Sequence, residues 1–501
     1  MHASSPLGVA AGVAALATSA TPCVRYPFPS PHVSPTCSGQ TMLNAKQPHT
    51  AACGLTRGRC RPGRQSLIVR NALAVDLTAF LKKLCKPSPA THDASYAKKI
   101  MADEAQYVLQ TYARAPLVLS HGLGSKVWDT EGREYIDFAA GIAVNALGHS
   151  DPRWASALVE QADKLAHTSN LYHTAPQVEL AKRLVTNSFA DKTFFCNTGT
   201  EANEAAIKFA RKWARAGIDP YDPSATAPHE LVSFTSCFHG RTMGALALTY
   251  KEQYRTPFLP MMPGCQLATY NDLESAAKVI VKGKTAAVFV EPVQGEGGVT
   301  PATAAFLKGL RKLCDEAGAL LVYDEVQCGL GRTGKLWGHE LYGVEPDMMT
   351  LAKPLAGGLP VGAVLLKQHV ADVMKPGDHG STFAGNPLVC HTACTVFDVI
   401  ADPSFLRSVN AKGERLRAAL RRTMGNNPHV KEVRGVGLLV GVQLDMQAGG
   451  VVNAARDMGI LAITAGKGDV IRLVPPLVIT DAEIDTGAEV LGKALTKVAP
   501  A

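Results

Sequence analysis

Two short apolar runs constrain this chain more than any other feature. Residues 319–323 read Ala-Leu-Leu-Val-Tyr and stop at Asp324; residues 348–352 read Met-Met-Thr-Leu-Ala and stop at Lys353. Apolar runs of this length, bounded by turn signals, are the pattern of strands buried on both faces of a parallel sheet. The turn between them is rich in glycine: Gly329-Leu-Gly331-Arg-Thr-Gly334. Side chains at the carboxyl ends of such strands face the crevice where ligands bind. The pattern therefore predicts one pocket that holds a carboxylate and an amine.

The same alternation runs through the middle of the chain. Residues 192–197 read as a strand that enters Thr198-Gly199-Thr200 and a helix reaching Gly217. Residues 230–236 read as a strand ending near Phe238-His-Gly-Arg241, and residues 286–291 as one ending at Glu291-Pro-Val-Gln-Gly-Glu296. A further strand is expected at 361–367. Strands alternating with helical patterns imply an α/β fold, its mostly parallel sheet covered by helices on both faces. Before this block come a helical then extended stretch at 93–118 and a hairpin signature at 126–138. A glycine-punctuated loop at 141–149 and helical periodicity at 152–165 and 175–187 follow. After Asn386-Pro387 the chain reads as a long helix, a strand pair at 433–444 and a final α/β stretch. A smaller α+β domain built from both chain ends is the expectation. The expected division is 1–75 leader, 76–151 N-terminal part of the small domain, 152–390 large domain and 391–501 C-terminal part.

Charge belongs to the leader. The chain of 501 residues carries 51 basic and 43 acidic side chains. Residues 1–75 contain no Asp or Glu but hold Arg25, Lys46, Arg57, Arg59, Arg61, Arg64 and Arg70. Without these seven, 44 basic residues face 43 acidic ones. The body thus offers no electrostatic case for nucleic acid. An acid-free segment rich in Ala, Ser, Thr, Pro and Arg has the composition of an organelle transit peptide, with cleavage expected near Arg70-Asn71-Ala72. Its length and Ser/Pro content favour the plastid stroma, with the mitochondrion as the alternative. A secretory signal and a disordered tail are weaker readings. No run approaches the ~18 apolar residues of a membrane span. The 12 cysteines are scattered without a C-x-x-C pair; Cys23, Cys37, Cys53 and Cys60 lie in the leader, and the remaining eight read as reduced thiols. No metal site is expected.

Several strand ends carry chemistry. Gly199-Thr200 opens a helix directly after a strand, where free amides and the helix dipole suit a phosphate; simple capping by Thr198 or Thr200 is the other reading. The glycine turn matches G-x-G-x-x-G and nearly matches a P-loop, but Leu336 stands where Ser or Thr would meet magnesium. A pocket-shaping loop is the better account, and a nucleotide-binding protein the distant alternative. Asp324 and Lys353 form either a structural ion pair or the pair that pyridoxal phosphate needs, an amine for its aldehyde and a carboxylate for its ring nitrogen.

Taken together, Asn197-Thr-Gly-Thr-Glu-Ala-Asn-Glu, Phe238-His-Gly-Arg241-Thr, Glu291-Pro-Val-Gln-Gly-Glu-Gly-Gly, Asp324-Glu-Val-Gln, Leu351-Ala-Lys353-Pro and His379-Gly-Ser-Thr382-Phe-Ala-Gly-Asn-Pro resemble the class III (ω-amino) aminotransferases. The similarity runs from about Asp93 to Val498. It implies a fold-type-I pyridoxal-phosphate enzyme. By resemblance, Lys353 carries the cofactor and Asp324 binds its ring nitrogen. Gln327, with Glu325 and Val326 of the same motif, lies around the ring. Phe238 stacks on it, and Gly199 and Thr200 hold the phosphate. Thr382 and Ser381 are expected from the second subunit, so a homodimer is implied. Thr198 stands where the family has serine, a change the main-chain contacts tolerate.

Within the family, the motifs are nearest those of members acting on N2-acetylornithine with 2-oxoglutarate. Ornithine and 4-aminobutyrate are the alternative amines. Arg241 is the candidate for the distant carboxylate of either substrate and Arg472 for the α-carboxylate of glutamate. Glu296 is expected to neutralise Arg472 when no carboxylate arrives, because an unpaired buried charge is costly; surface charges are the alternative. Family members acting on ornithine place a tyrosine near Gly141-Ile142, and this chain has none there. Tyr112 and Leu171-Tyr172 either line the entrance or pack.

Overall fold

The computed structural model describes residues 93–219, 221–222 and 226–500. The expected leader, residues 1–75, lies outside them.

A seven-stranded sheet carries the molecule. Its strands are β4 (Lys192–Cys196), β5 (Glu230–Phe234), β6 (Cys265–Ala268), β7 (Thr285–Val290), β10 (Leu320–Asp324), β11 (Met348–Leu351) and β12 (Gly362–Leu366), in the order β4-β12-β11-β10-β7-β5-β6. A small hairpin, β8 (Val293–Gln294) with β9 (Thr300–Pro301), follows β7. All the sheet's neighbours pair in parallel except β12, which runs antiparallel to both β11 and β4. The expected strand at 361–367 is present, but its reversed direction has no signature in an apolar run. The edge strand β6 was not expected from the sequence.

Every residue of β7, β10, β11 and β12 is buried. Strand parity divides them between two layers. Leu320 and Val322 of β10 join Phe289 of β7 beneath Ala206, Ile207 and Phe209 of the helix Gly199–Ala214. Leu321 and Tyr323 join Val288 and Val290 beneath Phe306, Leu307 and Leu310 of the helix Ala304–Ala317. That helix starts where Thr303 Oγ1 accepts the Phe306 amide and ends at Gly318, whose φ of 67° a side chain would resist. Truncating a fully buried ring such as Phe289 costs about 3–5 kcal/mol.

The long helix expected after Pro387 is two helices, Pro387–Ile400 and Pro403–Met424. Asp402 accepts the amides of Ser404 and Phe405, and Pro403 sits at the first turn, where its missing N–H costs nothing. Beyond them, β13 (Val430–Val436), β14 (Leu439–Leu444), β16 (Ile463–Ala465) and β17 (Val470–Leu473) form a second sheet. A third sheet joins β1 (Leu119–Leu123), β2 (Lys126–Asp129) and β3 (Glu134–Asp137) to β15 (Ile460–Leu461), with Ile136 opposite Ile460. The early and late parts of the described residues therefore meet there.

Candidate active site

Asp324 and Lys353 leave neighbouring parallel strands at their carboxyl ends. Asp324 stands opposite Thr350 in the β10–β11 register, three residues before Lys353. Asp324 is buried, and its carboxylate is firmly held. Oδ2 accepts His239 Nδ1 and Asn203 Nδ2, each at 2.8 Å, and Oδ1 accepts the Val326 amide at 3.0 Å. A carboxylate offers about four lone-pair positions. One on Oδ1 is left for a ring N–H.

Behind Asp324 the network closes. Asn203 Nδ2 also donates to the His239 carbonyl, and Thr350 Oγ1 donates to Asn203 Oδ1 at 3.1 Å. His239 is held well above its ordinary value. Burial works against the charge, but the Cys237 sulfur and the Asp324 carboxylate outweigh it. Nearby, Glu291 is buried and accepts the Phe238 amide at 3.1 Å and the Gly295 amide at 3.4 Å. Burial pushes its carboxyl up to about 7; the imidazole of His239 opposes the shift and Asp324 adds to it.

Lys353 has no hydrogen-bond or ion-pair partner among the described residues, and it begins a 3-10 turn, Lys353–Ala356. Its ammonium is pushed down to about 8, first by burial and then by the Arg472 guanidinium, while Asp324, Glu296 and Glu291 pull the other way. A free amine is therefore accessible near neutral pH. The segment Ala140–Ala143 packs against this turn, with four consecutive residues at positive φ. Three of them are not glycine, and left-handed backbone costs roughly 1 kcal/mol or more per such residue. Ile142 is exposed there.

The helix Gly199–Ala214 presents its N-terminus to the same crevice. Thr198 caps it, accepting the Glu201 amide, so the capping reading of this threonine holds. Among the described residues, the Gly199 and Thr200 amides have no partner. Val326 packs so closely on Gly199 that a Cβ there would lie 2.7 Å from Cγ1. Thr200 Oγ1 accepts the Arg241 and Thr242 amides.

On the opposite wall, Arg472 is buried on β17. It donates through Nη2 to Glu296 at 2.8 Å and through Nη1 to Gln327 Oε1 at 3.1 Å, while its Nε has no partner. Arg472 is thus no surface charge. Arg241 is exposed, and its Cζ lies over the Tyr254 ring. Phe238 is half-buried at the edge of the crevice. Ser381 accepts Asn197 Nδ2 at 2.8 Å, and Thr382 is exposed beside it.

Side chains alternate at a strand end, so Glu325 faces away from Asp324. Its carboxylate is taken by the amides of Gly338 and His339 and by His339 Nδ1, so it anchors the following loop. The glycine turn is buried and leads into the 3-10 turn Gly338–Leu341 rather than a helix, leaving no dinucleotide site. Asn203, His239, Glu291, Thr350 and Tyr254 were given no role from the sequence. His239 lies inside a motif already quoted, and Asn203 follows Gly199 by one helical turn, so both were within reach. Thr350 depends on register alone.

These residues fit pyridoxal phosphate. Asp324 keeps a lone pair that would take its ring N–H, the Gly199 and Thr200 amides are free and would take its phosphate, and Lys353 has no partner among the described residues to keep it from the aldehyde.

The comparisons agree. The model of the aminotransferase class-III family matches residues 107–495. The chain is 55% identical over 431 residues to a protein of Alnus glutinosa named acetylornithine aminotransferase, mitochondrial, covering 86% of this chain and 93% of that one. The crystal structure of N-acetylornithine aminotransferase from Stenotrophomonas maltophilia is similar with a TM-score of 0.68 at 40% identity, over 79% of this chain and 99% of the other. That of ornithine aminotransferase from Toxoplasma gondii has a TM-score of 0.76 at 35% identity, over 85% and 99%. A match over that span, with relatives this similar along most of their length, makes the chain a class III aminotransferase, a pyridoxal-phosphate enzyme on a fold-type-I scaffold.

Proposed function

We propose that this enzyme moves the terminal amino group of N2-acetylornithine to 2-oxoglutarate, giving N-acetylglutamate 5-semialdehyde and glutamate. The observation that carries the reading is the Arg472–Glu296 pair beside Lys353. A site that takes two unlike substrates needs a cation for one and a neutral wall for the other. Acetylornithine reacts at a carbon without a carboxylate, and Glu296 then keeps Arg472 neutralised. Glutamate reacts beside its α-carboxylate, which displaces Glu296 and pairs with Arg472. Arg241 receives the far carboxylate of either substrate.

Pyridoxal phosphate, when bound, supplies an electron-withdrawing ring that acidifies the substrate's C–H bond. The chain does the rest. Asp324, braced by His239 and Asn203, holds the ring-nitrogen proton. Gly199 and Thr200 hold the phosphate. Gln327, pinned through Oε1 by Arg472, has its amide N–H groups left for the ring hydroxyl. Lys353 Nζ takes the proton from the substrate carbon and would hand it to the second carbon, across the transferred nitrogen, as base and then acid. An amine with a pKa near 8 suits both tasks.

The exposure of Thr382 supports the reading that it serves a second copy, with Ser381, in a homodimer. The absence of tyrosine at Gly141-Ile142 supports a substrate whose α-nitrogen is acylated; ornithine and 4-aminobutyrate are the competing amines. The leader would address the chain to an organelle. The name of the Alnus relative favours the mitochondrion over the plastid first preferred. The division at residues 75, 151 and 390 is kept as the working one. The test compares kcat/KM of the purified chain for N-acetylornithine, ornithine and 4-aminobutyrate. N-acetylornithine should lead by at least about tenfold, which is ~1.4 kcal/mol of selectivity. Parity with ornithine would end the substrate reading and leave the transaminase intact.

A further inference from the structure

Arg241 is a cation without an anion. Among the described residues its guanidinium has no hydrogen bond or ion pair; only its backbone amide is engaged, by Thr200. Its Cζ instead lies over the Tyr254 ring, 3.4 Å from the centroid. Tyr254 stands on the short helix Glu252–Arg255 and meets the Phe238 ring edge-on at 6.4 Å. Lys251 Nζ lies 5.2 Å from the same ring. Phe238, Tyr254, Lys251, Glu296 and Lys467 line one cavity of about 330 Å³.

A guanidinium stacked on an aromatic face keeps all five N–H donors in its plane, directed outward. An unstacked arginine at the surface would surrender several rotatable bonds on binding. We propose that Tyr254 is a positioning residue for substrate recognition: it holds Arg241 flat and ready, so that the guanidinium meets the substrate's distal carboxylate with two parallel hydrogen bonds. The edge contact to Phe238 fixes that platform relative to the ring-stacking wall, and so sets the distance between reacting carbon and carboxylate. This rests on the reading of Arg241 as the carboxylate receptor.

The test uses two amines that differ only in the carboxylate, N-acetylornithine and N-acetylputrescine. The holoenzyme's preference for the first, as a ratio of kcat/KM, is measured for the parent, Tyr254→Phe, Tyr254→Leu and Arg241→Gln. Binding of N-acetylnorvaline, which has the carboxylate but no reacting amine, is followed by calorimetry. Tyr254→Leu should lower the preference about three- to thirtyfold and weaken N-acetylnorvaline to match, while Tyr254→Phe, which keeps the face, stays close to the parent. Arg241→Gln should abolish the preference. If Arg241→Gln abolishes it and Tyr254→Leu does not move it, the platform is refuted and the receptor stands. If Arg241→Gln leaves it intact, the receptor reading falls and takes the platform with it.

Discussion

Replacing Glu296 by Gln should turn a two-substrate site into one that favours glutamate. Arg472 is only 3% exposed, and Glu296, 2.8 Å away, is 30% exposed. Removing one partner of a fully buried pair typically costs about 3–5 kcal/mol. Here Glu296 is partly solvated and Gln327 still accepts from Nη1, so about 1–3 kcal/mol is the reasonable share. The two half-reactions feel it oppositely. An incoming amine is itself a cation, and it drives water from a guanidinium that has lost its counter-charge. Incoming glutamate no longer has to break an ion pair. At 1.4 kcal/mol per decade, the ratio of the two rates should shift about five- to 150-fold toward glutamate. Single-turnover stopped-flow measurement of the bound cofactor's absorbance, with each substrate separately, reads both numbers. Equal losses in the two half-reactions would refute the switch, as would a loss confined to glutamate.

The remaining predictions concern the anchor and a buried acid. Lys353→Ala should lose the visible absorbance of the lysine-bound cofactor and essentially all turnover; retained turnover would overturn its assignment. Glu291 has a folded-state pKa raised from the usual 4.5 to about 7. A carboxyl shifted upward binds more protons when folded, so its contribution to stability falls as pH rises from about 4.5 to about 7. Urea titrations of the parent and of Glu291→Gln should show the parent losing ground to the variant across that window. A constant difference would mean that Glu291 titrates normally.

Legibility in the sequence followed locality. The strands at Asp324 and Lys353 could be read because total burial forces an unbroken apolar run, and because each run stops at a charge. The helix at Gly199 could be read because a glycine after a strand has few other uses. What failed was set by partners remote in sequence. The direction of β12 follows from its crossover, which leaves no periodicity of its own. The engagement of Glu325 by Gly338 and His339 was not legible, because a motif read as a block hides the alternation within it. The support for Asp324 comes from Asn203, His239 and Thr350 on three separate elements. A motif shows that His239 is present, but only the fold shows that it touches Asp324.

The same nonlocality explains why Lys353 stays useful through two different half-reactions. Its amine is pushed down by burial first and then by Arg472, and up by Asp324, Glu296 and Glu291. Were Arg472 ever bare, Lys353 would become a weaker base just when it must take a proton. On the proposed switch, Glu296 would cover Arg472 in the amine half-reaction and the substrate's own carboxylate would do so in the glutamate half-reaction. One negative charge would then face Arg472 in both, and the lysine would meet nearly the same field each time. The pair would then do more than admit two substrates, because exchanging one carboxylate for another would hold the charge beside a single amine steady while the chemistry runs in opposite directions.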